Sequence, residues 1–213
     1  MLFLEEVNKR QVKLKDLCAI QHGIATNADK IYIINPDKTY GIEKELLHLA
    51  AKASTLSMDN VILFPYQWNS RNGHYEVIKE DVMRKQFPNA YQYLSEHRSV
   101  LESRDMESNA IWYQFARSQG IQNSNNKKFA IKHIISDKEK VCEFKELGPA
   151  TLVYSGIYIV VKDEKEYDFV KKVLSSEDFH KYLFLVGKDM AGGYRSVSAK
   201  FIKEYGIPIQ QNN

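Results

Sequence analysis

The chain has 213 residues, of which 44% are hydrophobic and 27% are charged, proportions that are ordinary for a soluble globular protein with a core. Its net charge of +3, from 30 basic and 27 acidic residues, is weaker than that of many nucleic-acid-binding domains. The charge does not exclude nucleic-acid binding, because local clustering matters more than the sum.

Targeting and membrane signals are absent from the sequence. The longest apolar run, over residues 150–161, is interrupted by polar residues and falls short of the ~20 residues that span a bilayer. Glu5 and Glu6 stand where a signal peptide needs its apolar run. Cys18 and Cys142 lie far apart and match no metal-ligand spacing, so we expect no disulfide framework and a reducing cytoplasm.

Hydrophobic periodicity predicts a mixed series of helices and strands. In chain order these are a strand over residues 30–34, a helix over 43–53, strands over 61–64 and 75–78, a helix over 89–104, strands over 127–135 and 151–161, and helices over 164–174, 177–188 and 198–205. Asp163 and Ser176 are predicted N-caps.

The predicted elements do not alternate regularly enough for a doubly wound fold. They favour an α+β fold with mixed or antiparallel sheets and packed helices. We see no internal repeat and no linker, so residues 1–213 are predicted to form one domain, with room for two subdomains that meet near residues 105–125.

Motifs for enzymatic chemistry are weak in this sequence. It contains no glycine-rich nucleotide fingerprint, no P-loop and no paired histidines with metal-ligand spacing. Glu143 and Lys145 have a spacing that some metal-dependent nucleases use, but such a pattern arises often by chance. We therefore expect no catalytic residue, no metal and no cofactor in this chain.

The most informative segment is 112–122, with the sequence WYQFARSQGIQ and no acidic residue. Arginine can bond guanine bidentately, glutamine can bond adenine, and aromatic rings can pack on a methyl group or a displaced base. The polar run that follows, with Lys127 and Lys128, suits phosphate contacts. A solvated loop would have the same composition, and a core position is favoured for Trp112 over a DNA contact.

Several short motifs resemble, in order and spacing, the TaqI-like C-terminal specificity domain of adenine-specific DNA methyltransferases and related restriction-modification proteins. The resemblance spans nearly the whole chain. It rests on residues 14–33, Phe64-Pro65-Tyr66, the helix from Phe87 to Arg104, the segment from Trp112 to Arg117, Gly192-Gly193-Tyr194-Arg195 and Ile207-Pro208-Ile209.

This resemblance implies a module that reads double-stranded DNA, bound to a methyltransferase catalytic domain in cis or in trans. S-adenosylmethionine would bind that other domain, because the closest string here to the catalytic Asn-Pro-Pro-aromatic motif is Asn35-Pro36-Asp37-Lys38, which lacks the second proline and the ring. The chain alone is therefore not expected to be an enzyme.

The predicted DNA contacts divide into base-reading and phosphate-binding groups. Arg117 and Gln119 are the leading candidates for base edges, with Tyr194 and Arg195 as a second wall of the groove. The full predicted set is His22, Thr26, Arg117, Ser118, Gln119, Gln122, Lys127, Lys128, Lys188, Gly193, Tyr194 and Arg195. The alternatives are an interaction module that binds only proteins and, more weakly, a nuclease that uses Glu143 and Lys145.

Overall fold

In the computed structural model, which describes residues 2–106, 108–117, 120–123 and 125–208, two large hydrophobic clusters define two lobes. The first lobe takes its buried residues from 24–121 together with Leu152 and Tyr154. The second takes them from residues 7–20 and 129–207, on both sides of the first lobe in sequence. Both lobes mix strands with helices, which confirms the α+β prediction.

The described helices and strands are numbered here in chain order. The helices are α1 (Leu2–Lys9), α2 (Leu14–Leu17), α3 (Asp29–Tyr32), α4 (Glu80–Gln86), α5 (Pro88–Glu96), α6 (Arg98–Glu102), α7 (Tyr167–Leu174), α8 (Glu177–Val186) and α9 (Ala199–Glu204). The strands are β1 (Cys18–His22), β2 (Ile33–Ile34), β3 (Leu47–Lys52), β4 (Ser57–Leu63), β5 (Tyr66–Asn69), β6 (His74–Val77), β7 (Lys128–Ile131), β8 (Ile134–Ser136), β9 (Phe144–Leu147), β10 (Leu152–Tyr154), β11 (Ile157–Val161), β12 (Lys188–Asp189) and β13 (Tyr194–Ser196).

Each lobe is built on a four-stranded sheet. The first lobe has the strand order β10-β3-β4-β2, in which β10 and β3 are parallel and the other pairs antiparallel. The second has the antiparallel order β1-β11-β7-β9. A third small hydrophobic cluster contains residues from strands of both sheets, among them Ala51, Val153, Ala130 and Val160.

Two smaller sheets complete the fold. Strands β5 and β6 form a hairpin whose turn contains Asn72 and Gly73, as the turn signal predicts. Strand β13 pairs with β12 on one side and β8 on the other, so residues 188–196 form a second hairpin, which the sequence periodicity does not predict.

Sequence periodicity predicts several elements correctly. The predicted strands over 61–64 and 75–78 and the three C-terminal helices are confirmed within a few residues. The predicted N-caps are also confirmed, because the Asp163 carboxylate accepts from the Lys165 N–H at 3.0 Å and the Ser176 hydroxyl from the Phe179 N–H at 3.2 Å.

Two N-terminal predictions are wrong. The predicted helix over 43–53 is a short 3₁₀ turn followed by β3, which pairs with β4 on one side and β10 on the other. The predicted strand over 30–34 is mostly the helical turn α3, and only β2 is extended. The predicted helix over 89–104 is broken at His97, where φ is −106° and ψ is 9°.

The predicted strands over 127–135 and 151–161 are each divided in two. The second of these gives β10 and β11, which belong to different sheets and do not pair with each other. Among the described helices, none is long and apolar enough to cross a membrane.

Candidate functional site

An open cleft of about 650 Å³ lies where strand β1 ends. Its lining residues come from β1 and the loop after it, from the 117–120 segment, from the β10–β11 turn and from α9: Ile20, Gln21, His22, Gly23, Ile24, Ala25, Arg117, Gly120, Ser155, Gly156 and Lys203. A second cavity of about 520 Å³ shares Ile24, Ala25 and Ser155 with the first and follows residues 24–31. The two cavities adjoin along this loop and are together called the groove here.

Two glycines bring three backbone segments together at the floor of the groove. A Cβ at Gly23 would lie 2.7 Å from the Val153 carbonyl oxygen, and one at Gly120 would lie 2.9 Å from the His22 oxygen and the Ile24 nitrogen. Such distances are shorter than real Cβ contacts, so both positions need glycine for close approach. The Tyr158 hydroxyl donates to the Gly120 carbonyl oxygen at 3.0 Å and so holds Gly120 in place.

Arg117 stands on the edge of this floor. Its backbone forms an isolated antiparallel bridge with Ala25, in which the Arg117 N–H donates to the Ala25 carbonyl at 3.2 Å. Its side chain is exposed, and within the described part of the chain its guanidinium has no ion-pair partner. With respect to the described residues, its donors stay available to a ligand.

Basic and imidazole side chains share the rim with Arg117. His22 and Lys203 line the same cleft and are exposed. His133 lies close to His22, and burial together with the neighbouring His22 lowers the pKa of His133. Arg117 and Lys203 give this end of the groove a positive character that suits an anionic ligand.

Arg104 braces the loop and the segment that carries Arg117. Its guanidinium donates to the Thr26 carbonyl at 2.6 Å, the Trp112 carbonyl at 2.7 Å and the Gln114 carbonyl at 3.0 Å. Its Nε donates to the Leu101 carbonyl at the end of α6. One side chain thus ties together both strands of the Ala25–Arg117 bridge, and its planar fork is suited to several acceptors at once.

The aromatic rings of the 112–122 segment do not line the groove. Tyr113 and Phe115 have no exposed surface and belong to the first hydrophobic cluster, and Trp112 is half-buried against it. The interpretation of these rings as base-stacking groups is therefore wrong for Tyr113 and Phe115. Their composition signals core packing, and the core position favoured for Trp112 agrees with its contacts.

Thr26 and Gln122 have structural partners. Thr26 is fully buried, and its hydroxyl donates to the Asp29 carboxylate while it accepts from the Ala28 N–H at 3.0 Å. The Gln122 amide bonds both backbone groups of Tyr75, at 2.9 and 3.3 Å. Thr26 thus holds the loop that lines the second cavity, and Gln122 joins its segment to β6.

The two predicted phosphate-binding lysines of the polar run have different environments. Lys127 is exposed, and its ammonium lies 2.9 Å from the Glu164 carboxylate. Lys128 is only 1% exposed, and its ammonium donates to the Thr151 carbonyl at 2.8 Å. The prediction of a phosphate contact for Lys128 does not fit this burial, because strand β7 is covered on both faces.

The hairpin of β12 and β13 carries four predicted site residues. Lys188, Gly193 and Tyr194 are exposed on it. Arg195 is partly buried instead, with its guanidinium 2.9 Å from the Asp189 carboxylate and 5.1 Å from the Phe184 ring. The remaining predicted residues, Ser118 and Gln119, lie outside the described residues.

The residues of the nuclease alternative form ordinary surface contacts. Glu143 pairs with Lys132 at 2.9 Å, and the Lys145 ammonium donates to the Leu56 carbonyl at 3.3 Å. No group of three or more His, Cys, Asp or Glu side chains that could hold a metal occurs among the residues that the structure describes.

Sequence reasoning missed three contributors to the groove. From the sequence, Gly120 is predicted only as part of a polar segment, Arg104 as the end of a helix, and Lys203 as a residue of the last helix. No local signal identifies them, because their partners lie far away in sequence: Arg104 contacts Thr26, 78 positions earlier.

No protein-family model and no curated protein matches this sequence. Solved structures with the same fold include the type IIL restriction-modification enzyme MmeI in complex with DNA, with a TM-score of 0.64 and 10% identity over 90% of this chain. The type IIG restriction endonuclease BpuSI matches 98% of this chain, with a TM-score of 0.55 and 13% identity. The chain spans about a quarter of each of these proteins, 25% and 26% of their length.

Proposed function

We propose that this chain is a sequence-specific DNA-recognition module of a restriction-modification system, related to the TaqI-like specificity domain. The observation that carries the proposal is the fold, which is shared over nearly the whole chain with parts of two restriction-modification enzymes, one of them bound to DNA. An exposed arginine on the rim of an open, positively charged groove adds chemical support.

In this proposal Arg117 reads a base edge in the major groove. A free guanidinium can bond the O6 and N7 atoms of guanine bidentately, and the bridge to Ala25 together with the Arg104 brace holds the backbone that presents it. His22, Lys203 and Lys188 lie on exposed surface and contact phosphates, which adds affinity that depends on salt.

Methyl transfer itself is assigned to another domain. The module would hold DNA against an adenine-specific methyltransferase domain, in cis or in trans, and that domain would bind S-adenosylmethionine and the flipped adenine. The role of this chain is then to choose the site at which the other domain acts.

The test is binding to duplex DNA in a salt series, after selection of a preferred target from random duplexes. We expect log affinity to fall linearly with log salt, and Arg117→Ala to reduce discrimination between target and non-target duplexes by about 10- to 100-fold. Arg117→Lys should restore part of the affinity but little of the discrimination, because an ammonium cannot form the bidentate contact.

The matched control is Lys172→Ala, which removes one exposed positive charge on α7. It should leave discrimination unchanged. A wild-type chain that binds no duplex at about 50 mM salt would contradict DNA recognition. An Arg117→Ala variant that weakens binding equally on all duplexes would contradict the base-reading role alone.

A further inference from the structure

The hairpin formed by β12 and β13 ends in a narrow loop that places two large apolar side chains in solvent. Met190 is 44% exposed and Tyr194 is 47% exposed. The loop between them is closed by the Met190 N–H, which donates to the Tyr194 carbonyl at 2.9 Å. Two such side chains at the ends of one closed loop form a small exposed apolar surface that is available to a partner.

Between these two residues the loop carries almost no side chain. Its three residues are Ala191, Gly192 and Gly193, and both glycines have left-handed φ values, 78° and 79°. A Cβ at Gly193 would meet no other atom within 4 Å, so glycine is required there by the backbone conformation and not by packing. The tip is therefore thin, with Met190 and Tyr194 as its only large groups.

The stem of the hairpin is firmly held. Arg195 pairs with Asp189 across the two strands, donates to the Gly187 carbonyl at 3.3 Å and lies over the Phe184 ring. Strand β13 also pairs with β8 over three residues. This bracing engages the Arg195 guanidinium within the protein, and it means that the tip is presented without a large loss of entropy on binding.

The hairpin begins beside the groove that contains Arg117. The Val197 N–H, at the base of β13, donates to the His133 carbonyl at 2.8 Å, and His133 neighbours His22 on the groove rim. From Val197 to Tyr194 the strand extends by about 10 Å, at ~3.3 Å per residue. The tip therefore lies at the far end of a strand that begins beside this groove.

We propose that this tip enters the minor groove of the bound duplex and that Met190 wedges between two base pairs, which kinks the DNA. This inference rests on the proposed function. An unbranched apolar side chain is one of the types that unstack base steps, and a thin loop fits a groove ~6 Å wide. The hairpin carries two basic side chains, Lys188 and Arg195, and one carboxylate, that of Asp189, which pairs with Arg195. This positive balance of charge favours DNA over a basic protein surface.

The test uses the full chain and a duplex of about 30 base pairs that contains the selected target, with a donor and an acceptor dye at its ends. A second duplex carries 2-aminopurine at each candidate step in turn. We expect the wild-type chain to shorten the end-to-end distance and to raise 2-aminopurine fluorescence at one step by several-fold. Met190→Ala should abolish both signals and weaken target binding about tenfold, while Met190→Leu should keep them.

Leu49→Ala is the matched control, because Leu49 is also an exposed apolar residue, 56% exposed on strand β3. It should change neither signal. Specific binding with straight DNA, or an unchanged bend with Met190→Ala, would overturn the wedge while DNA recognition stands. A chain that binds no duplex but holds a protein partner through this loop would overturn both proposals.

Discussion

At the scale of single residues, the groove depends on side chains that a ligand need not touch. Arg104 bonds carbonyl oxygens in three separate segments and lies 5.6 Å from the centre of the Tyr32 ring. Each carbonyl it satisfies would otherwise be left partly buried without a donor. Leaving such a carbonyl without a donor lowers the stability of the fold by about 1–3 kcal/mol.

We therefore expect Arg104→Lys to lower the free energy of unfolding by about 2–3 kcal/mol, because one ammonium cannot reach acceptors in three directions. Urea denaturation measures this change. Arg98→Lys is the control: Arg98 makes an exposed ion pair with Glu102, so its replacement should change stability by less than about 1 kcal/mol. Equal stability of Arg104→Lys and wild type would show that Arg104 is not a brace.

Lys128 gives a pH dependence with a definite sign. Burial lowers its pKa from 10.5 to about 8 in the folded protein. Above pH 8 the folded chain loses this proton while the unfolded chain keeps it, so the contribution of Lys128 to stability rises with pH until about 10.5. Relative to that of Lys128→Met, the free energy of unfolding of the wild type should rise by at most about 3 kcal/mol over this pH range.

Chemical denaturation of both proteins between about pH 7.5 and pH 10 measures the gain. Lys127→Met is the control. Because the neighbouring Lys127 is exposed, the difference in the free energy of unfolding between wild type and this variant should not change with pH. A difference that is also flat for Lys128→Met would mean that the buried ammonium keeps its ordinary pKa.

At the scale of elements, the site depends on backbone segments that approach each other more closely than side chains allow. Gly120→Ala would place a Cβ 2.9 Å from backbone atoms of His22, Gly23 and Ile24, none of which is a flexible side-chain end. We expect the variant to lose about 1–3 kcal/mol of stability and to open the Ala25–Arg117 bridge. Thermal denaturation and target discrimination measure the two effects.

Gly148→Ala is the matched control for this prediction. A Cβ at Gly148 would meet no atom within 4 Å, and its φ is not left-handed, so the substitution should be neutral or slightly stabilising. If Gly120→Ala were as stable as Gly148→Ala, the close approach at the groove floor would not require glycine.

The elements also show which parts of the fold the sequence can predict. Helix α8 and its Ser176 cap are local, because the amphipathic pattern and the cap lie within a few adjacent residues. Strand β3 is not local: its leucines and alanines fit a helical stripe equally well, and pairing with β4 and β10, far along the chain, makes it extended.

The candidate site likewise has parts that the sequence predicts and parts that it does not. Arg117, His22, Lys188 and Tyr194 could be named from residue types and a family resemblance, whereas the hairpin that carries the last two could not. The burial of Lys128, Tyr113 and Phe115 could not be predicted, because composition does not distinguish a buried strand or a packed ring from an exposed loop. The groove itself is lined by residues 22–25, by Arg117 and Gly120, and by residues 155–156, a grouping that no spacing in sequence reveals.

At the scale of the whole molecule, the two lobes are interleaved and not joined end to end. Strand β10 belongs to the sheet of the first lobe and β11 to that of the second, and only Ser155 and Gly156 separate them. The small cluster of alanines and valines packs between the two sheets. We therefore expect the lobes to unfold together in one transition.

The chain offers a separate probe for each lobe. Trp112 packs against the first cluster, and the other tryptophan, Trp68, lies on β5 of the same lobe. Cys18 and Cys142 are free thiols buried in the second cluster, where burial raises the pKa of both to about 12. Tryptophan fluorescence reports the first lobe, and thiol labelling under denaturant reports the second.

Gly156 couples the lobes, so its substitution distinguishes one cooperative unit from two. A Cβ at Gly156 would lie 2.7 Å from the Cβ of the buried Ala53, and we expect Gly156→Ala to cost about 1–3 kcal/mol and to shift both probes to the same lower midpoint. Ala53→Gly removes the opposing methyl group and should recover about 1 kcal/mol in the double variant, although the φ of 156° keeps some strain. A midpoint shift in fluorescence without a matching shift in thiol labelling would mean that each lobe unfolds by itself, and the turn between β10 and β11 would then be a tether and not a structural joint.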